Sequence, residues 1–206
     1  MGFIAILAFA ASTFVGSREL GTLLSAPLGY DVAVALTFLI RGRPKRTLTG
    51  FLPRVAAYGA SLLVPVFVRA SLSWAPSAVA STTAAPVRTA GIFLWICGLL
   101  LAFWPLWQLR RSFSIEPAAR ELVTSGPYRF ARHPIYAAHI LSYAGLWLLH
   151  ATVPLGLVVV LWFALMRLRV HYEEKVLIET FPTYAAYRER VGAFGPWPFR
   201  PAAAKA

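Results

Sequence analysis

Apolar and polar stretches alternate along this chain in blocks long enough to be membrane helices. Met1–Val15 is apolar and is followed by a polar break at Ser17, Arg18 and Glu19. Leu20–Ile40 is apolar again, with Pro27, Gly29 and Asp31 interrupting it, and the basic run Arg41–Arg46 ends it. Phe51–Val68 forms the next block, with Arg54 near its start and Pro65 near its end. Ser71–Val87, rich in Ser, Ala, Thr and Pro, reads as an exposed linker. Thr89–Trp107 is free of charge, and its Trp95, Trp104 and Trp107 are expected to mark interfaces. Pro134–Leu149 and Thr152–Met166 follow as two short apolar runs joined through His150 and Ala151, the pattern of a tight helical hairpin.

From Arg167 the chain turns polar while keeping a helical pattern until Pro182 breaks it. Tyr184–Val191 reads as a short amphipathic helix, Gly192–Pro201 as a Pro/Gly/aromatic tail, and Ala202–Ala206 as a frayed end. About 20 residues at roughly 1.5 Å rise cross a bilayer core. Met1–Val15 therefore either extends towards Leu20 or inserts only in part. The prediction is an all-α integral membrane protein, a single membrane domain over 1–206. It has about six (five to six) transmembrane helices, including a helical hairpin, and a C-terminal cytoplasmic amphipathic helix. Met1–Gly16 lacks a basic start, so a retained first helix is expected rather than a signal peptide. Asp31, beside Pro27 and Gly29 where the chain can bend or loop, is taken as structural; an acid fixed inside a span would otherwise suggest function.

Composition agrees. The 206 residues are 58% hydrophobic and 14% charged, with a mean hydropathy of +0.63, well outside the range of ordinary soluble domains. The net charge of +12 does not imply nucleic acid, because the basic residues lie between apolar spans and not along one soluble face. Five of the 20 Lys and Arg residues lie in 41–54, five in 108–132 and seven beyond 166, leaving Arg18, Arg69 and Arg88. The positive-inside rule then puts both termini and the polar segments in the cytoplasm. The single cysteine, Cys97, forms no internal disulfide.

The stretch richest in candidate chemistry is 122–136, Leu-Val-Thr-Ser-Gly-Pro-Tyr-Arg-Phe-Ala-Arg-His-Pro-Ile-Tyr. Its turn formers give way to Arg129, Arg132 and His133, and Pro134 opens a helix. His133 is then expected at a helix N-terminus, where unpaired N–H groups and the helix dipole favour an anion. The alternative is a basic loop that only sets topology. A second cluster comprises His171, Tyr172, Glu173 and Glu174, with Glu179, Tyr184, Tyr187 and Arg188. Adjacent helix positions point about 100° apart, so one of Glu173 and Glu174 can face a pocket while the other pairs with Arg169 or Lys175. The hairpin would bring these carboxylates beside Arg132 and His133. A solvated helix of Glu/Lys pairs is the bland alternative. No metal site is expected: His133, His139, His150 and His171 include no i, i+4 pair.

The run 122–136, the preceding Arg111-Ser-Phe-Ser, and the later Tyr172-Glu-Glu-Lys-Val-Leu and Phe-Pro-Thr-Tyr-Ala-Ala-Tyr-Arg-Glu-Arg-Val resemble the isoprenylcysteine carboxyl methyltransferase family and the related membrane phospholipid methyltransferases. The resemblance covers roughly 90–200; it marks 1–88 as variable N-terminal spans and 89–200 as a methyltransferase-like core. It implies S-adenosylmethionine as cofactor, bound on the cytoplasmic side between the two clusters. His133, Tyr136, Glu173 and Glu174 would line that site, Tyr128, Arg129 and Arg132 would shape its rim, and Tyr187 and Arg188 would close it. Ala138 stands where the family often has Gly. A small-residue face, Ala138 with Gly145, would either let helices pack closely or leave a lipid-sized gap.

The cofactor's carboxylate would go to His133, Arg132 or the helix N-terminus. The acceptor, lipid-like or prenylated, would enter sideways from the membrane. For a carboxylate acceptor, Arg129 or Arg188 would position the substrate as a bidentate pair. For an amine acceptor, Glu173, Glu174 or His133 would be the base. Carboxyl O-methylation is the first reading and phospholipid or amine N-methylation the second. A non-catalytic binding protein on the same scaffold is the third. A sterol-reductase-type enzyme using NADPH is set aside, since such chains are longer and have more spans.

Overall fold

The computed structural model describes residues 21–74 and 83–195. The expectations for Met1–Val15, for the polar break after it, for 75–82 of the Ser71–Val87 linker and for the end of the tail lie outside the described residues.

Six α-helices form the described part: α1 (Gly21–Ile40), α2 (Phe51–Trp74), α3 (Ala85–Leu109), α4 (Pro134–His150), α5 (Val153–Thr180) and α6 (Tyr184–Arg190). Three of them, over Phe51–Val68, Ala85–Leu109 and Val153–Thr180, are long and apolar enough to cross a membrane. At roughly 1.5 Å per residue, the 28 residues of α5 reach about 42 Å. That exceeds a hydrocarbon core of about 30 Å, so the polar end of α5 projects beyond its apolar part.

Several boundaries differ from those read in the sequence. α1 runs unbroken through Pro27, Gly29 and Asp31. α2 continues to Trp74 and α3 begins at Ala85, which shortens the linker at both ends. The basic run after α1 is not simply a loop: β1 (Arg46–Thr47) pairs antiparallel with β2 (Ala118–Ala119). Around this ribbon, Gly42 N–H donates to Arg111 O at 2.8 Å and Leu48 N–H to Pro117 O at 3.0 Å. Two-residue strands carry no periodicity, so the sequence could not announce them.

The helices pack mainly as two pairs, α3 with α4 and α2 with α5. The first pair meets backbone to backbone. A Cβ on Gly98 would lie 2.5 Å from Ser142 N and 2.7 Å from Ala138 O, and one on Gly145 would strike Trp95 N. Ser142, fully buried, donates its hydroxyl to Trp95 O at 3.2 Å. The small-residue face of α4 therefore closes a helix seam and leaves no lipid-sized gap there, and Ala138 sits within that seam. Trp95 is buried in it, contrary to its expected role as an interface marker, whereas Trp104 and Trp107 are exposed.

The second pair is pinned by Trp162 of α5, buried, whose Nε1–H donates to Ala60 O of α2 at 2.8 Å. Its ring meets Tyr143 of α4 edge to face at 4.6 Å. The α4–α5 hairpin turns at Ala151, whose φ of 50° is left-handed. That turn sends α5 back along α4, so the start of α4 and the polar end of α5 share one end of the bundle.

Candidate functional site

The α4–α5 hairpin fixes the site. Pro134 at the first position of α4 makes His133 its N-cap residue. A 3-10 turn, Gly126–Arg129, precedes it, with Gly126 at φ 60°, a left-handed conformation that Gly adopts without strain. The turn is anchored by Tyr128, whose hydroxyl donates to Pro105 O at 3.3 Å, and by Tyr187 of α6, whose hydroxyl donates to Tyr128 O at 2.5 Å.

Glu173 and Glu174 each collect a separate set of partners. Glu174 Oε1 accepts from Arg132 Nε at 2.9 Å and lies 2.9 Å from Arg132 Nη2 and 3.2 Å from His133 Nε2. Its Oε2 is 3.3 Å from Arg188 Nε. Glu173 Oε1 accepts from Tyr136 OH at 2.6 Å and from Arg169 Nε at 2.9 Å, while its Oε2 is 3.7 Å from His133 Nδ1. His133 thus stands between the two carboxylates. Either/or pairing on the helix surface is replaced by full use of both, and Arg169, not Lys175, is the base that Glu173 meets.

Arg169 is the residue whose weight the sequence did not reveal. It is 4% exposed and donates through Nη1 to Ser61 Oγ at 2.7 Å and Ala57 O at 3.3 Å, both on α2. Its Nη2 donates to Ser114 O at 3.0 Å, and its guanidinium lies over the Tyr136 ring at 5.3 Å. Only the i, i+4 spacing to Glu173 was visible beforehand; the partners on α2 are over 100 residues away.

The backbone leading into α4 is tied to the tail after α6: Arg132 N–H donates to Gly192 O at 2.9 Å and His133 N–H to Ala193 O at 2.8 Å, while Tyr136 N–H and Ala137 N–H of the first turn donate to His133 O at 3.1 Å. Pro134 has no N–H to give. Arg132 Nη1 also donates to Arg188 O at 3.0 Å and to Val191 O.

A cleft of about 120 Å³ opens beside this cluster, lined by Tyr128, Arg132, His133, Tyr136, Glu173 and Tyr187 among others. Its remaining wall is the irregular segment 112–123, with Arg120, and Tyr184 of α6. Arg129 is not part of the wall: it is exposed, with its guanidinium 4.6 Å from the Phe130 ring centre. Arg188 sits behind the cleft on Glu174, and Glu174 itself is turned towards its cations. Burial raises the pKa of Tyr128 and of Tyr184 above the ordinary tyrosine value, with Glu173 and Glu174 adding to it respectively. Burial also pushes Tyr187 up to about 12, partly offset by Arg132. All three hydroxyls therefore keep their protons at neutral pH.

Residues 87–184 match the phospholipid methyltransferase family. The cobalt-zinc-cadmium resistance protein CzcN of Cupriavidus metallidurans is 34% identical over 153 residues, covering 73% of this chain and 68% of that protein. The nickel-cobalt-cadmium resistance protein NccN of Alcaligenes xylosoxydans xylosoxydans is 38% identical over 77 residues, 37% of this chain and 36% of its own length. The chain belongs to the phospholipid methyltransferase family. The resemblance read from the motifs is thereby borne out. The matched region of this family member runs from α3 to the start of α6 and contains Tyr128, Arg132, His133, Tyr136, Glu173 and Glu174. Ala57 and Ser61, which hold Arg169, lie before it. Among the described residues, no group of three or more His, Cys, Asp or Glu side chains could hold a metal ion.

Proposed function

We propose that this family member is an integral membrane methyltransferase that uses S-adenosylmethionine to methylate a lipid-like or prenylated acceptor. The observation that carries the reading is the meeting of Arg132 and His133 with Glu173 and Glu174 beside one cleft, at the end of a hairpin in a chain of this family. The proposal includes five to six spans, and both termini and the cleft in the cytoplasm, following the placement of the basic residues.

The residues present suit such a cofactor. It carries an amino group, ribose hydroxyls, a sulfonium and a carboxylate. Glu173, partly exposed on the cleft wall, can accept from the amino or hydroxyl groups, and the aromatic rings of Tyr128 and Tyr187 can face a cation. Two buried groups in the wall, Arg120 Nη1 and the Tyr184 hydroxyl, have no partner and can receive further ligand atoms. Small-molecule sites commonly enclose about 300–1,000 Å³, more than this cleft holds, so binding widens it. The wall best able to yield is 121–123, which is neither helical nor part of the β1–β2 pairing.

When bound, the cofactor supplies an electrophilic methyl group. The protein then has to hold an acceptor in line with that methyl and keep water away. Glu174 acts by fixing Arg132, His133 and Arg188 in place. Glu173 is the carboxylate that faces the cleft, and it is the proton acceptor for an amine substrate. A carboxylate substrate is already ionised and needs positioning only. Neither Arg188 nor Arg129 lines the cleft; Arg188 is linked to it through Glu174, which also holds Arg132 of the wall.

The family description favours a phospholipid acceptor, while the two relatives are named for resistance to divalent metals. Esterifying a carboxylate removes an oxygen ligand for such ions, so carboxyl methylation would serve a resistance role. Purified protein incubated with membrane lipids and methyl-labelled cofactor separates these outcomes. Base-labile label in the lipid fraction identifies an ester, and base-stable label an N-methyl product. Absence of label together with no heat of binding for S-adenosylmethionine or its demethylated product would overturn the methyltransferase reading in favour of a non-catalytic role.

A further inference from the structure

The side chains expected to receive the cofactor's carboxylate are already used by the protein. Arg132 is taken by Glu174, Arg188 O and Val191 O. His133 lies between Glu173 and Glu174. The N–H groups of Arg132 and His133, just before α4, are bonded to Gly192 and Ala193, and those of Tyr136 and Ala137 to His133 O. Arg169 is taken by Glu173, Ser61, Ala57 and Ser114.

Arg120 is different. It lines the same cleft and is 7% exposed. Its Nε donates to Gly42 O at 2.8 Å, and its Nη1 has no partner. No carboxylate among the described residues comes within 4.0 Å of its guanidinium. Burial and the nearby positive charge of Arg41 both work against its charged form, yet a guanidinium stays ionised in proteins. A buried cation without a counter-ion is costly unless something supplies the anion. Its backbone is held firmly, because it follows directly on β2, which is paired with β1.

We propose that Arg120 is the oxyanion receptor of the cleft, taking a carboxylate or phosphate of the bound ligand on the Nη end of its guanidinium. The inference rests on the methyltransferase reading only for the ligand's identity. The oxyanion comes either from the cofactor's amino-acid carboxylate or from the phosphate of an acceptor headgroup. Glu116, Glu121 and Glu173, which line the same cleft, exclude a second anion from most of the remaining wall and leave the Arg120 end as the favourable place.

The test is calorimetric binding to the full-length protein in detergent, comparing wild type with Arg120→Gln and Arg120→Lys. The probes are S-adenosylhomocysteine, 5′-methylthioadenosine, which lacks the carboxylate, dihexanoyl phosphatidic acid, and dihexanoylglycerol, which lacks the phosphate. Loss of one charge-assisted, two-point contact corresponds to about 10- to 100-fold in affinity. If the cofactor supplies the anion, Arg120→Gln weakens S-adenosylhomocysteine by that factor and leaves methylthioadenosine unchanged. If the headgroup supplies it, phosphatidic acid weakens and dihexanoylglycerol does not. Arg120→Lys, which keeps the charge without the planar fork, falls between and provides the reading should the Gln variant fail to fold.

Unchanged binding of both anionic probes overturns the proposal. So does an equal loss for the probes that lack the anion, which would mark a structural role. Wild-type protein that binds S-adenosylhomocysteine with no dependence of any probe on Arg120 removes the subsite and keeps the methyltransferase. Arg120-dependent binding of phosphatidic acid with no binding of S-adenosylhomocysteine does the reverse.

Discussion

Helix α4 has two seams built on opposite principles. Along α3 it is joined with almost nothing between the backbones, through Gly91, Gly98 and Gly145 against Trp95, Ser142 and Leu149. At its start it is joined to α5 and α6 through charged and hydroxyl side chains: Arg132, His133 and Tyr136 on Glu173 and Glu174. In lipid, apolar side chains gain nothing by leaving hydrocarbon, so close contact of small residues is what holds helices together. At the polar end water is available as a competitor, and only convergent, buried ion pairs give a fixed geometry. The first seam is intolerant of added volume, the second of lost charge.

Gly145→Val breaks the first seam. Its side chain would overlap Trp95 N and Gly91 O, and backbone cannot yield as a side chain can. A loss of about 3 kcal/mol or more is expected, at or beyond the upper range of core overpacking, read as failure to give a monodisperse species or as a large fall in thermal midpoint in detergent. Normal stability would mean that α3 and α4 lie farther apart than described here.

Glu174→Gln breaks the second. It leaves Arg132 and His133 buried without their carboxylate, an effect of about 2–4 kcal/mol for a largely buried pair. Arg188, half exposed, adds little because solvent screens it. The expected result is a partly destabilised protein in which α6 and the tail after it loosen. Proteolysis should then shift to sites after 180, while Trp162 and the α2–α5 contact keep their protection in hydrogen exchange. Uniform loosening of all helices would show that the ionic end is not an independent seam.

Ala151→Gly is the smallest change and has the opposite sign. Ala151 holds φ 50° at the hairpin turn, a conformation that costs about 1 kcal/mol in a residue with a Cβ. The glycine variant should be stabilised by a few tenths to about 1 kcal/mol, less its added freedom when unfolded. A lower thermal midpoint would mean that the turn relaxes without strain.

The sequence showed the helices well where they are apolar and long, because hydropathy reports the solvent that each residue meets. It misplaced ends where proline or a composition change was read as a stop: α1 passes through Pro27 and Gly29, and α2 runs on to Trp74. The charged residues of the cleft were also visible, since an Arg-His-Pro run and a Glu-Glu pair are rare in so apolar a chain. Their assignments were less secure. Arg129 was singled out by its position in a motif, yet its side chain lies on Phe130 outside the cleft. Arg120 was passed over because a lone arginine in a loop carries no signal; only burial without a counter-ion gives it one. Arg169 looked like half of a local pair and is in fact the bond between α5, α2 and the segment at Ser114.

By itself, then, the sequence determined that this protein is helical, that its helices are apolar in the manner of membrane spans, and that its ionic groups fall into two clusters at polar breaks; it led to an expectation of five to six spans, where three of the described helices are long and apolar enough to cross a membrane. Those properties depend on hydropathy and on neighbours within a turn of helix, which are local. Tertiary structure alone decided which carboxylate meets which cation, that the tail after α6 bonds to the backbone just before α4, and that Arg120 is buried with no carboxylate partner among the described residues. Those outcomes depend on distances between residues far apart in the chain, and no local pattern encodes them.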